Sequence, residues 1–242
     1  GKIERRRAKG KIVNLQARLE DMPMDGLTGI AHTRWATHGK PNEVNAHPHM
    51  AGDVAIVHNG IIENFRDLRA ELEAAGRVFE SETDSEVIAQ LIAQKMDEGL
   101  TAVDAFEATL GQLHGAFALA VIFSGEESVL MGARKGSPLV LGYGEGEMYL
   151  GSDAIALAPL TRDVTYRPDS FDIRNARGDR VNRPRVKSAV NDALIERGEY
   201  DHFMLKEIHE QPESLARSIL PYIDQATQTI QAGEATDQIF AD

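Results

Sequence analysis

Cysteine is absent from the 242 residues, which excludes disulfides, thiolate metal sites and a thiol nucleophile within the chain itself. Long apolar runs are lacking too: none approaches the ~18 to 20 residues that span a bilayer. The basic opening Gly1-Lys2-Ile3-Glu4-Arg5-Arg6-Arg7 has no apolar stretch behind it to make a signal peptide. A cytoplasmic protein without membrane contact is expected. Positive charge is in deficit, with 26 basic against 38 acidic residues and a net charge of −12, so nucleic acid is not an expected partner. Repeats and low-complexity tracts are missing as well. What remains, 42% hydrophobic and 26% charged, suits one large globular domain, or one domain with part of another.

The periodic segments alternate between strand and helix patterns, so a mixed α and β chain is expected. Residues 30–37 and 53–63 read as strands that each end in small polar residues. Asn64 stands where a cap would precede Phe65, Leu68 and Leu72, with Gly76 as the stop. Thr83 and Glu86 have capping-box spacing ahead of Val87, Ile88, Leu91, Ile92 and Met96. A further helix is expected from Thr101 with Val103, Phe106, Leu110 and Leu113 inward. Residues 115–123 are apolar on both alternating faces, the pattern of a mid-sheet strand buried between layers. Runs at 128–133, 138–143 and 147–150 read as a meander of antiparallel neighbours. The segment 202–218 reads as one helix broken near Pro212. Many strands with few helices suggest stacked sheets covered by helices.

Five of the eight histidines, His32, His38, His47, His49 and His58, lie between positions 32 and 58. The spacing argues against a metal, because no pair sits at one-face helical spacing and no cysteine completes a zinc set. Ordinary hydrogen bonding is the expected role of most of these rings, His32 and His47 included. Arg34 offers a planar fork of donors suited to a carboxylate, and Thr37 and His38 are close enough to line the same pocket. A surface arginine with Trp35 packed in the core is the plain alternative. Asn59-Gly60 reads either as a hairpin turn or as an amide and a backbone N–H converging on a developing oxyanion. Asp84, at a helix start, serves either the helix dipole or a substrate ammonium. An arginine for carboxylate and an aspartate for ammonium together describe an amino-acid site.

The motifs His32-Thr33-Arg34-Trp35-Ala36-Thr37-His38-Gly39, Asn45-Ala46-His47-Pro48, His58-Asn59-Gly60-Ile61-Ile62-Glu63-Asn64 and Ser81-Glu82-Thr83-Asp84-Ser85-Glu86 resemble, in this order, the glutaminase domain of the glucosamine-6-phosphate synthase family. That family, the isomerising glutamine:fructose-6-phosphate aminotransferases, belongs to the class II glutamine amidotransferases. The likeness continues through Gly136-Ser137-Pro138-Leu139, Gly151-Ser152-Asp153 and the stretch from His202 to Pro212, so it covers nearly the whole chain. It implies an α+β fold, a four-layer αββα sandwich of the N-terminal-nucleophile hydrolase type. It implies release of ammonia from the glutamine side-chain amide, with fructose 6-phosphate as acceptor on a separate isomerase domain. In that reading Arg34 holds the substrate carboxylate, Thr37 and His38 line the pocket, and Asp84 holds the ammonium. Asn59 and Gly60 form the oxyanion hole and Trp35 gates the ammonia path. No cofactor or metal is implied, and the full enzyme is expected to be a homodimer.

The departures from the family are equally definite. Its members open on Cys-Gly-Ile-Val-Gly, and the cysteine attacks the amide; an Arg-Gly-Tyr-Asp-Ser-Ala-Gly segment follows before text like that at Gly1. The N-terminal part, with the nucleophile, is therefore expected to be missing from these residues, which alone would be inactive. A second strand of the family is expected to be missing near Tyr166, Arg167 and Pro168. The resulting organisation is a glutaminase domain over 1–190, a linker over 191–201 and the start of the isomerase domain over 202–242. Two alternatives stand beside this reading: another class II enzyme such as an amidophosphoribosyltransferase, or a non-catalytic amino-acid-binding module.

Overall fold

The computed structural model describes residues 1–34, 40–126, 129–165, 186–188, 196–224 and 229–230. The chain divides into two compact units, Gly1–Ser188 and Ala189–Asp242. The first opens with α1 (Ile12–Asp21), which has no buried residue and which the sequence reading passes over. Then come β1 (His49–Ala51), β2 (Val54–Ile62), α2 (Phe65–Ala74), α3 (Asp84–Asp97), α4 (Ala102–Leu110), β3 (Gly115–Phe123) and β4 (Leu130–Lys135). They build an antiparallel sheet in the order β1-β2-β3-β4. A second antiparallel sheet, β6-β5-β7-β8, is formed by β5 (Val140–Tyr143), β6 (Met148–Gly151), β7 (Asp163–Thr165) and β8 (Val186–Lys187), with the short α5 (Ala154–Leu157) between β6 and β7. The fold is α+β.

Alternation along β2 turns Val54, Ile56, His58 and Ile62 to one face, where α3 packs. Helix α3 is buried continuously from Asp84 to Ala93, because the sheet covers one side while α2 and α4 flank the others. Val87, Ile88 and Ile92 have no exposed surface, each burial contributing about 1.5–3 kcal/mol. They join Leu119 and Val121 of β3 in the main core. The second sheet has a smaller core of Val140, Leu157 and Val164, with Tyr149 against it.

Several expectations need correction. Residues 30–34 carry no strand, and the remainder of that segment lies outside the described residues. The reason is local: Arg34 N–H donates to the His32 ring at 2.8 Å and Arg34 has φ +32°, so the chain turns rather than extending. Val103 points outward at 45% exposure, and Ala105 and Thr109 are buried beside Phe106 instead. The Thr109 hydroxyl is satisfied there by donating to Ala105 O at 2.8 Å. Strand β3 is interior as expected, but its second face is only partly covered, with Ala116 exposed. Leu139, just before β5, and Leu150 of β6 crowd over Gly132 of β4. The meander breaks between β4 and β5, which belong to different sheets.

The caps also differ. Asn64 and Thr83 stand at the N-cap positions of α2 and α3, yet neither side chain makes a cap bond. Asn64 donates to Gln112 O and accepts from His114 N–H. Glu86 reaches past Thr83 to accept from the N–H groups of Glu80 and Ser81 and from the Ser81 hydroxyl. In the second unit α6 (Phe203–Ile219) runs through Pro212 unbroken. A single interior proline removes one helical hydrogen bond, at ~3 kcal/mol, without obliging the helix to end. A 3₁₀ turn (Leu220–Tyr222) and the pair β9 (Ile223–Asp224) and β10 (Thr229–Ile230) follow. The expected gap near Tyr166 and the first part of the linker, 191–195, lie outside the described residues.

Candidate active site

Where β2 ends and α3 begins, a cleft of about 290 Å³ is lined by His32, Arg34, His47, His58, Asn59, Gly60, Ile61, Thr83, Asp84 and Ser85. Four residues chosen from the sequence as substrate contacts, Arg34, Asn59, Gly60 and Asp84, thus meet in one place. Trp35, Thr37 and His38 lie outside the described residues.

Asn59 and Gly60 do not form a hairpin turn. They sit within β2, opposite Ala118 and Phe117 of β3. Gly60 takes φ +126°, and a Cβ there would collide with the Ala116 carbonyl, so only glycine fits. Asn59 is exposed into the cleft, its Oδ1 lying 2.6 Å from His32 Nε2. Among the described residues no protein group takes its Nδ2.

Asp84 is 3% exposed and accepts from Ile62 N–H at 2.9 Å through Oδ2, which ties the first turn of α3 to the end of β2. Arg34 Nη1 donates to Lys40 O at 3.1 Å. Partial burial lowers the guanidinium's affinity for its proton, and the nearby Asp84 carboxylate acts in the opposite direction. Opposite charges therefore stand on two walls of one cleft.

Behind them is a layer of imidazoles that spacing alone could not arrange. Ser85 Oγ lies 2.9 Å from His58 Nδ1 and 3.2 Å from His47 Nε2. Thr83 Oγ1 lies 3.2 Å from His49 Nε2. The His47 ring packs against those of His32 and His49, with centroids 4.2 and 4.8 Å away. Burial pushes His58 down to about 4 and His49 down to about 3, and drives His47 lower still, so these rings are neutral. His47 Nδ1 and His58 Nε2 are buried with no partner among the described residues. Ser85, the shared partner, was missed as a site residue; its only sequence signal is its place beside Asp84. Among the described residues no three imidazole or carboxylate groups converge as a metal would require.

The family described as the glutamine amidotransferase domain matches residues 32–159, over half of the 242. The chain belongs to this family. Among curated relatives of this amidotransferase domain, the glutamine–fructose-6-phosphate aminotransferase [isomerizing] of Caulobacter vibrioides is 56% identical over 236 residues, covering 94% of this chain and 39% of that protein. The protein of the same name from Mesorhizobium japonicum is 52% identical over 233 residues, covering 93% and 38%. The domain thus spans about two fifths of the length of the curated relatives it matches. Among solved structures, glutamine phosphoribosylpyrophosphate amidotransferase from B. subtilis, complexed with ADP and GMP, is 23% identical with a TM-score of 0.44, over 66% of this chain and 34% of that one. A structure described as the allosteric regulatory enzyme of purine biosynthesis is 25% identical with a TM-score of 0.46, over 55% and 31%. No helix among the described residues of the amidotransferase domain is long and apolar enough to cross a membrane.

Proposed function

We propose that this chain is the glutamine-binding part of an enzyme that frees ammonia from the glutamine side-chain amide and delivers it to fructose 6-phosphate, yielding glucosamine 6-phosphate. The observation that carries the reading is the single cleft holding Arg34, Asp84, Asn59 and Gly60. Arg34 pairs with the α-carboxylate and Asp84 with the α-ammonium, so the zwitterion is gripped from opposite walls. That grip aims the side-chain amide at the end of β2. There Asn59 Nδ2 and the Gly60 N–H donate to the carbonyl oxygen as it becomes an oxyanion, an interaction stronger in the transition state than in the bound substrate.

The attacking group is a cysteine thiolate from a segment outside these 242 residues, its proton handled by its own α-amino group. Attack on the amide carbon gives a tetrahedral intermediate, ammonia leaves with the transferred proton, and water hydrolyses the thioester to glutamate. Trp35 gates the ammonia path, with Thr37 and His38 lining the pocket. With that segment restored, the β1–β4 sheet is one inner layer of a four-layer αββα sandwich. The glutaminase domain covers 1–190, 191–201 is the linker, and 202–242 begins the isomerase domain through which the cytoplasmic enzyme forms a homodimer. The relatives' names do not favour the amidophosphoribosyltransferase alternative.

The full-length gene product incubated with glutamine and fructose 6-phosphate is expected to yield glutamate and glucosamine 6-phosphate in equal amounts. Failure to form glutamate overturns the reading. Glutamate without glucosamine 6-phosphate overturns the acceptor.

A further inference from the structure

We infer that His32 is a positioning residue that holds the carboxylate anchor and the oxyanion donor of the glutamine site in one arrangement, through Arg34 on one ring nitrogen and Asn59 on the other; this rests on the glutaminase reading above.

The argument is one of counting protons. Arg34 N–H donates to His32 Nδ1 at 2.8 Å, so that nitrogen carries a lone pair and no hydrogen. A neutral imidazole then has its proton on Nε2. Nε2 lies 2.6 Å from Asn59 Oδ1, and the N–H donates to it. The opposite amide orientation would present a second donor to a ring already accepting at Nδ1, leaving a hydrogen against a hydrogen. The ring therefore fixes which way the Asn59 amide faces: oxygen to His32, Nδ2 to the cleft where an oxyanion donor is needed. Burial favours the uncharged ring this scheme requires.

The other nitrogen has an equal task. Arg34 holds φ +32°, a left-handed backbone costly for a residue with a side chain. The bond to Nδ1 is the local restraint that closes this turn and sets the direction in which the guanidinium leaves the backbone. One ring thus governs the α-carboxylate end and the amide end of the same substrate.

Two substitutions separate these tasks. In His32→Asn the side-chain oxygen can still accept from Arg34 N–H, as in an Asx turn, but the side chain is too short to reach Asn59. In His32→Gln the amide N–H can still reach Asn59 Oδ1. Measured on glutamine hydrolysis by the full-length enzyme, His32→Asn is expected to lower kcat about 10- to 100-fold with little change in KM. His32→Gln is expected to keep kcat within a few-fold and raise KM about 10-fold, the sign of a lost binding contact. In an Asn59→Ala background, His32→Asn should lower kcat no further. Selective ¹⁵N-histidine NMR on the full-length enzyme, a readout independent of turnover, should show His32 protonated at Nε2 and bare at Nδ1. A wild-type enzyme that makes no glutamate overturns the glutaminase reading. Wild-type turnover with the two variants behaving alike, or a proton found on Nδ1, overturns the role of His32 alone.

Discussion

Asn45 and Glu82 hold each other at two points: Glu82 N–H donates to Asn45 Oδ1 at 3.0 Å, and Asn45 Nδ2 donates to Glu82 Oε2 at 3.3 Å. Asn45 is 1% exposed, and its Nδ2 also donates to Lys40 O, the carbonyl that accepts from Arg34 Nη1. The loop after Arg34 and the loop before Asp84 are therefore joined through one buried amide. Asn45→Asp sets a second carboxylate against Glu82 and faces Lys40 O without a donor. It is expected to raise KM for glutamine about 10-fold while leaving kcat nearly unchanged, as steady-state hydrolysis will show.

In the proposed mechanism, Asn59→Ala removes a donor aimed at charge that develops only during reaction. Turnover of glutamine should fall about 100-fold, roughly 3 kcal/mol, with KM little altered. An effect confined to KM would place Asn59 among binding groups instead.

In the same proposed mechanism, Asp84→Asn and Arg34→Lys act on the ground state as well. A lysine cannot reproduce the planar fork, and an asparagine cannot match an ammonium with charge. Each should weaken glutamine binding by about 2 kcal/mol, some 30-fold, by calorimetric titration.

Ser85→Ala strands His58 Nδ1 and His47 Nε2, both of which meet Ser85 Oγ. Two buried polar atoms without partners should cost about 1–3 kcal/mol of stability each, readable as a lowered urea midpoint at unchanged slope.

The buried imidazoles make stability depend on pH. His58 is pushed down to about 4 and His49 down to about 3, against the usual 6.5 in the unfolded chain. The unfolded state thus binds more protons below pH 6.5, so the stabilisation is complete above that value and is lost as pH falls toward 4 and then 3. Between pH 7 and pH 5 each such ring should remove about 2 kcal/mol. Urea unfolding at the two pH values checks this, and His49→Gln should shrink the difference.

The fold was legible where burial follows a simple period. Val54, Ile56 and Ile62 announce β2, and the apolar spacing of Val87, Leu91 and Met96 announces α3. That Arg34, Asn59, Gly60 and Asp84 share one cleft was legible, because each side chain or backbone has a chemistry few other residues can replace. What could not be read were bonds made across the chain. Thr83 and Glu86 have the spacing of a reciprocal cap, yet Thr83 turns to His49, which tertiary packing brings in from β1, and Glu86 reaches past Thr83 to the Ser81 backbone. Likewise the span 30–34 has strand-like residues, but a local side-chain bond to Arg34 N–H defeats extension. Val103 shows the limit of helical periodicity: several stripes fit α4, and packing selected the one through Ala105 and Thr109.

The tight space at Gly60, where a Cβ would strike the Ala116 carbonyl, makes strand pairing the ruler of the site. His58 lies buried against Ser85 and Asn59 stands exposed in the cleft because Asn59 lies opposite Ala118 and Gly60 opposite Phe117. A slip by a single residue would exchange those two side chains between faces, setting an amide among the buried imidazoles and turning an imidazole outward. Whatever lets β2 and β3 mate correctly as the chain folds also decides whether the proposed oxyanion hole can form.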